Sequence, residues 1–302
     1  MKNHFINKIL IPIDFSETGL VALEHGVYMA RIFKADLYLL YVIELMEFPF
    51  NDEGSSLLIK NDDDDELEKV VAKKFEEITK KIIEKNNIRI TSVIEKGRLI
   101  NKIAEAVKDN MIDLIVMGTH GVKGFSEYFI GSNAHKTIAI CPCPVITIQT
   151  HAKQIGFANI VMPIDDSVHS RQKVDTVIEL ALHYGATIHI LGLINVDEDI
   201  NEKKFNIKID TVESVVKKAQ LNYVKKIVKG KNIAVEAMKY SQEINANLIV
   251  IMTDHESNLT GMFLGGFAKQ IVNHSRIPVM SIKPTEGNFE SLNLSASSNP
   301  FG

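Results

Sequence analysis

The chain has 302 residues, 45% of them hydrophobic and 24% charged, the balance of a globular protein of about two domains. A formal net charge of −4 argues against nucleic acid or an anionic membrane surface as partner. The polar start, Met1 to Lys8, does not read as a secretory leader, and no apolar run approaches the roughly 18 residues of a membrane span, so a cytoplasmic location is expected.

Ile9 to Ile13 is a short apolar run without polar alternation, as expected of a strand buried on both faces. Ser16 is placed to cap a helix on which Leu20, Leu23, Val27 and Ala30 recur at helical spacing. Asp36 to Ile43 reads as the second strand. Leu67, Val70, Val71, Phe75, Ile78 and Ile82 then stripe a helix with a Lys/Glu outer face. The acidic run before it, Asp62 to Asp65, reads as a solvated loop held open by self-repulsion, with a lid or partner surface as the alternative. A third strand (Ile88 to Ile94), a helix (Leu99 to Val107), a fourth strand (Leu114 to Met117), a helix (Asn133 to Ile140) and a final strand (Val145 to Ile148) follow. Five strands alternating with four helices imply a doubly wound parallel α/β sheet. Cys141 and Cys143 lie two apart, too close on extended chain for an unstrained disulfide, and are expected as free thiols.

The whole pattern then recurs. Lys8 to Ser16 (KILIPIDFS) returns as Asn159 to Ser167 (NIVMPIDDS), and Ala35, Leu40 and Ile43 match Ala186, Leu191 and Ile194 at the same offset. Downstream, Gly97, Val116, Gly131 and Pro144-Val145 match Gly230, Val250, Gly265 and Pro278-Val279. The second copy is shorter by a stretch corresponding to Asn51 through Glu66. The boundary falls in the polar segment from Thr150 to Gly156, giving domains of 1–150 and 157–284. Ser, Asn and Gly dominate the remainder, 285–302, which reads as a flexible tail, with a docking peptide as the alternative.

In such a sheet ligands sit beyond the C-terminal strand ends, where strand order reverses. The segment leaving the fourth strand there is rich in glycine: Met117-Gly118-Thr119-His120-Gly121, and after nine further residues Gly131-Ser132-Asn133. Gly118 and Gly121 let backbone approach a ligand that side chains would exclude. Gly131 and Ser132 open the next helix, whose unpaired N–H groups and dipole favour phosphate.

These residues, with the Pro-Ile-Asp of the first strand and the Pro-Val opening the last, resemble the universal stress protein family in its ATP-binding branch. That family's motif, G-x-x-G, nine residues, then G-[ST], is met by Gly118, Gly121, Gly131 and Ser132, and the resemblance covers both copies. It implies two tandem five-stranded domains of the adenine nucleotide alpha hydrolase-like fold, related by a pseudo-twofold and packed through their final strands. It also implies ATP (or ADP or AMP) as ligand, with Mg2+ able to accompany the phosphates. Pro12, Ile13 and Asp14 at the end of the first strand would face adenosine, and Val42 would offer backbone hydrogen bonds to adenine. Met117, Gly118 and His120 would line the ribose and phosphate side, with Gly121, Gly131, Ser132 and Asn133 around the phosphates.

The second copy departs from this pattern. Met252 stands for the first glycine, His255 for the second and Gly266 for the serine, with Asp254 adding a charge that repels phosphate. It is expected to be nucleotide-free. An enzyme is disfavoured: there is no G-x-x-x-x-G-K-[ST] loop, no kinase motif set, no Ser-Gly-Gly-x-Asp-Ser loop of ATP-splitting ligases and no metal-ligand histidine spacing. A nucleotide-binding stress-response regulator is expected, acting through protein partners, with its halves forming an intrachain pseudo-dimer and a further homodimer left open. A ligand-independent protein-interaction scaffold and a slow ATPase or self-phosphorylating enzyme are the alternatives.

Overall fold

The structure is a computed structural model in which residues 5–49, 56–59, 64–119, 131–253, 255–256 and 263–285 are described. The first half runs β1 (Lys8–Pro12), α1 (Glu17–Phe33), β2 (Asp36–Glu44), a hairpin of β3 (Met46–Pro49) and β4 (Ser56–Ile59), α2 (Asp64–Asn86), β5 (Ile90–Gly97), α3 (Leu99–Asn110), β6 (Leu114–Gly118), α4 (Ser132–Ile140) and β7 (Val145–Ile148). The second runs β8 (Asn159–Ile164), α5 (Val174–Tyr184), β9 (Thr187–Asn195), α6 (Glu202–Lys218), β10 (Tyr223–Gly230), α7 (Ile233–Glu243) and β11 (Leu248–Met252). It ends with a small pair, β12 (His255–Glu256) and β13 (Phe263–Leu264), then α8 (Gly266–His274) and β14 (Val279–Ile282).

Ten strands form one sheet in the order β10-β9-β8-β11-β14-β7-β6-β1-β2-β5. Each half is a parallel five-stranded unit with its first strand at the centre, and the second half repeats the order of the first. Central strands are apolar throughout because helices cover both faces. Along β1, Ile9 and Ile11 join the core on the side of α1 and α2, while Leu10 joins the core beneath α3 and α4. Both cores continue without interruption into the second half. Leu20, read from periodicity as part of the apolar stripe of α1, is instead 40% exposed, and Val21 and Ala22 are buried in its stead. Of the acidic run, Asp62 and Asp63 lie outside the described residues, as does the tail after Thr285, while the loop reading is corrected at Asp64 and Asp65, which lie in the first turn of α2, where acids suit the helix dipole. Lys96 pairs there with Asp65 at 3.1 Å and Glu68 at 2.6 Å.

The halves meet where β7 pairs antiparallel with β14. Ile146 faces Met280, its own counterpart in the repeat, while Val145 faces Ser281 and Thr147 faces Val279. That register is the one a twofold axis between Ile146 and Met280 produces, and it removes two exposed sheet edges at once. Around it, His135 of α4 is hydrogen-bonded to Asn273 of α8 at 2.6 Å, and Lys283 donates to the carbonyl of Ala139 at 2.9 Å. On the other face Phe33 meets the rings of His183 and Tyr184 at 4.5 and 5.9 Å. Both cysteines are free, and burial pushes the Cys141 thiol up to about 11 and Cys143 to about 12, so neither is a reactive thiolate. No helix among the described residues is long and apolar enough to cross a membrane.

The segment between the halves is tied down by a buried histidine. His25 Nε2 donates to the carbonyl of Ala152 at 2.8 Å, and its ring stacks on Phe157. Burial lowers the pKa of His25 below its ordinary 6.5, outweighing the Ala152 carbonyl and the Glu24 charge, and burial likewise lowers that of His189. Both are therefore neutral in the fold and bind protons more readily once unfolded. Their stabilising share is complete above about pH 6.5 and is lost as pH falls below it, by at most about 1.4 kcal/mol per pH unit for each histidine. Denaturant midpoints measured from pH 7.5 to 5.5 should fall, and His25→Gln, whose amide can still donate to Ala152, should flatten the decline.

Candidate functional site

The chain leaves β1 toward β2 on one side, while β6 lies on the other, so the switch point is the crevice beyond Pro12 and Gly118. Pro12 and Ile13 are buried at its floor, and Asp14 is half-buried above them. Asp14 Oδ1 accepts from Ser16 N at 3.0 Å and Ser16 Oγ at 2.6 Å, and Ser16 Oγ in turn accepts from Gly19 N at 3.1 Å. This fixes the carboxylate and caps α1 in one network. Between Asp14 and Ser16, Phe15 takes a left-handed backbone (φ 58°), a conformation bulky residues rarely hold. Its ring is held by stacking on Tyr41 at 5.6 Å, by the edge of Phe75 at 5.6 Å, and by Lys74, 5.0 Å from the ring centre. Burial and the nearby Asp14 charge both raise the pKa of Tyr41.

Pairing of β1 with β2 stops at Pro12 and Leu40, whereas β2 continues to Glu44. Val42 therefore has a ladder partner on one side, Glu95 of β5, and its other edge opens toward the crevice. Across the crevice, Met117 is buried and Gly118 ends β6. A Cβ at Gly118 would lie 2.9 Å from the Thr18 side chain, 3.1 Å from the Thr18 carbonyl carbon and 3.2 Å from Gly19 N. The glycine is thus what lets the first turn of α1 press against the end of β6.

Thr119, 2% exposed, joins the two ends of the glycine-rich segment: its carbonyl accepts from Gly131 N at 2.7 Å. A Cβ at Gly131 would sit 2.9 Å from that same carbonyl oxygen. Gly131 starts α4 with no side-chain cap, and Ser132 and Asn133 follow exposed, so the dipole-bearing end of the helix opens beside Gly118. Pro12, Ile13, Asp14, Val42, Met117, Gly118, Gly131, Ser132 and Asn133 accordingly sit on one rim, while His120 and Gly121 lie outside the described residues. The two glycines thus let α1 press on the end of β6 and the start of α4 press on Thr119, and the uncapped helix start so placed has the exposed amides and dipole that favour a phosphate-bearing ligand. Among the described residues no group of three His, Cys, Asp or Glu is placed to hold a metal ion. Sequence reasoning missed Thr18, Gly19 and Thr119, whose roles depend on contacts across the crevice.

The second half keeps some of this and loses the rest. Asp165 Oδ1 accepts from Ser167 N at 3.1 Å and Ser167 Oγ at 2.7 Å, repeating the Asp14 turn. Gly265 begins α8 with φ −56° and ψ 156°, close to the −59° and 147° of Gly131. The strand end differs: Met252 is 5% exposed where Gly118 stood. In the first half the space beside this position is taken by Thr18 and Gly19 of α1. In the second the helix does not start at Val168, the counterpart of Glu17, but recedes to Val174. The vacated turns are closed by polar contacts: Asp165 N donates to Ser170 Oγ at 2.9 Å, and the buried Lys173 donates to the Ser170 carbonyl. Lys208 binds the carbonyl and the carboxylate of Asp166, each at 2.8 Å, where the first half has the Phe15–Phe75 contact.

The model of the universal stress protein family matches residues 6–149 and again 156–283. A universal stress protein of Methanocaldococcus jannaschii is 33% identical over 152 residues, covering 49% of this chain and 84% of the relative. One of Bacillus subtilis is 26% identical over 146 residues, 47% of this chain and 99% of the relative. Among solved structures, a universal stress protein from Archaeoglobus fulgidus superposes over 92% of this chain and 98% of its own, with a TM-score of 0.71 at 20% identity, a likeness of fold. With both halves matched by one family model and joined as equivalent five-stranded units, the chain belongs to the universal stress protein family in tandem form.

Proposed function

We propose that the chain is a stress-response regulator that binds ATP, or another adenine nucleotide, in its first half and none in its second. The observation that carries this reading is the bond from Gly131 N to the Thr119 carbonyl, which sets the uncapped start of α4 beside Gly118. On this reading the phosphates lie against the amides of Ser132 and Asn133, with the backbone of Gly131 held beside them by its bond to Thr119, His120 and Gly121 completing the cradle, and Mg2+ accompanying the phosphates. Adenine meets the open backbone edge at Val42, and Asp14 meets the adenosine. The second half, with Met252 at the strand end and α5 withdrawn, offers its partners a surface of the same fold without the ligand.

Calorimetric titration with ATP should give one site per chain, and mass spectrometry of denatured, purified protein should identify the nucleotide carried through purification. A hundredfold excess of ATP over Kd should stabilise the fold by about 2.7 kcal/mol. Two equivalent sites would overturn the reading of the second half. No binding by any adenine nucleotide would favour a ligand-independent scaffold, which the persistence of the fold in the second half makes the next reading.

A further inference from the structure

A second concavity lies on the same half, further along α1 than its capped first turn. A groove of about 410 Å3 runs between α1 and the C-terminal half of α2. Leu23 and Val27 line it from α1, Ile78 and Ile82 from α2, and Ile155 from the segment joining the halves. Its volume is within the range of small-molecule sites, about 300–1,000 Å3, and at interior packing density it holds on the order of 15 non-hydrogen atoms.

The wall is fixed by contact between the halves. Tyr28, which lines the groove, stacks on Tyr184 of α5 at 6.1 Å. Gly156 passes so close that a Cβ there would lie 3.3 Å from the Tyr28 ring. The Arg31 guanidinium is held 5.1 Å from the centre of the same ring, which limits the ordering it must undergo on binding. The charged groups facing the groove are Arg31, Lys81 and Glu24, so cations exceed acids. Both cations are exposed, at the boundary between the apolar lining and water.

We propose that this groove binds a small amphipathic carboxylate, an acyl chain of medium length. Its tail lies among Val27, Ile78, Ile82 and Ile155, and its head meets Arg31 and Lys81 at the rim. A guanidinium matches a carboxylate with two parallel hydrogen bonds, which a hydroxyl or ammonium head cannot reproduce. The site takes Ile155 from the joining segment, which the chain has once, so it is built once per chain.

Dodecanoate, of a size the groove accommodates, is the probe. Titrated into the full chain below its micellar concentration and followed by calorimetry, it should saturate a single site. Dodecanol and dodecylammonium should bind at least about tenfold more weakly, a difference of about 1.4 kcal/mol. Ile82→Phe, which fills the groove, should weaken dodecanoate about tenfold or more while leaving ATP titration unchanged; Val27→Phe repeats the test should Ile82→Phe lower the unfolding midpoint. Arg31→Gln should weaken dodecanoate and leave dodecanol as it was. Absence of saturable binding, binding that survives both filling variants, equal binding of dodecylammonium, or displacement of dodecanoate by ATP would each overturn the proposal.

Discussion

Gly131→Val is expected to abolish ATP binding and to cost about 1–3 kcal/mol of stability, the usual range for forcing atoms into a packed site. Even a Cβ at this position would stand 2.9 Å from the Thr119 carbonyl oxygen, a backbone atom that cannot swing aside as a side-chain tip could. Relief requires Gly131 to move away from Thr119, breaking the 2.7 Å bond from its N–H to that carbonyl. The start of α4 then leaves Gly118, and the amides of Ser132 and Asn133 no longer converge with it on one phosphate. Gly131→Ala should show the same effects in milder form, because it brings the clash without the branch. Circular dichroism should report an unchanged fold for both, since the sheet and both cores lie beneath the change. Undiminished ATP affinity in Gly131→Val would place the cradle elsewhere.

Much of this architecture is legible in the sequence because the strands are. After their polar first residues, Lys8–Pro12 and Asn159–Ile164 are apolar on both faces and follow the same pattern, so the repeat and the parallel sheet follow from them directly. The Ser16 cap was equally readable, since it depends on residues three apart. What escaped depends on distant partners or on weak local signals. The β3–β4 hairpin is made of four-residue pieces in a stretch rich in Asp, Glu and Ser, too short for periodicity to mark. The helical start at Asp64 was masked by its own charge, which reads as solvated loop until Lys96 is seen to pair with Asp65 and Glu68. The withdrawal of α5 was invisible because Ser167 repeats Ser16 and promises the same cap, while the matching change at the strand end, Met252 in place of Gly118, is remote in sequence.

That account makes Gly118→Met the sharpest test of how the two halves diverged. The substitution gives the first half the residue that the second half carries at the same strand end. In the present packing a Cβ alone would meet the Thr18 side chain at 2.9 Å and Gly19 N at 3.2 Å, and a full methionine cannot be placed without moving the helix start. The first turn of α1 should therefore unwind, as its counterpart has done before Val174, releasing the Ser16 cap and the Thr18–Thr150 hydroxyl contact. Overpacking and the lost cap together should cost about 2–4 kcal/mol. Amide exchange at Leu20, whose N–H is bonded to the Ser16 carbonyl at 2.9 Å, should accelerate. ATP binding should disappear, because Asp14 is held through Ser16 and the crevice closes from the Gly118 side. The reciprocal change, Met252→Gly, empties a 5% exposed position and should cost about 2–5 kcal/mol as a core truncation. It should not create a second ATP site, since Lys208 and Ser170 would still occupy the turn after β8. Unchanged exchange at Leu20 together with unchanged ATP affinity in Gly118→Met would show that the glycine serves neither the helix start nor the ligand.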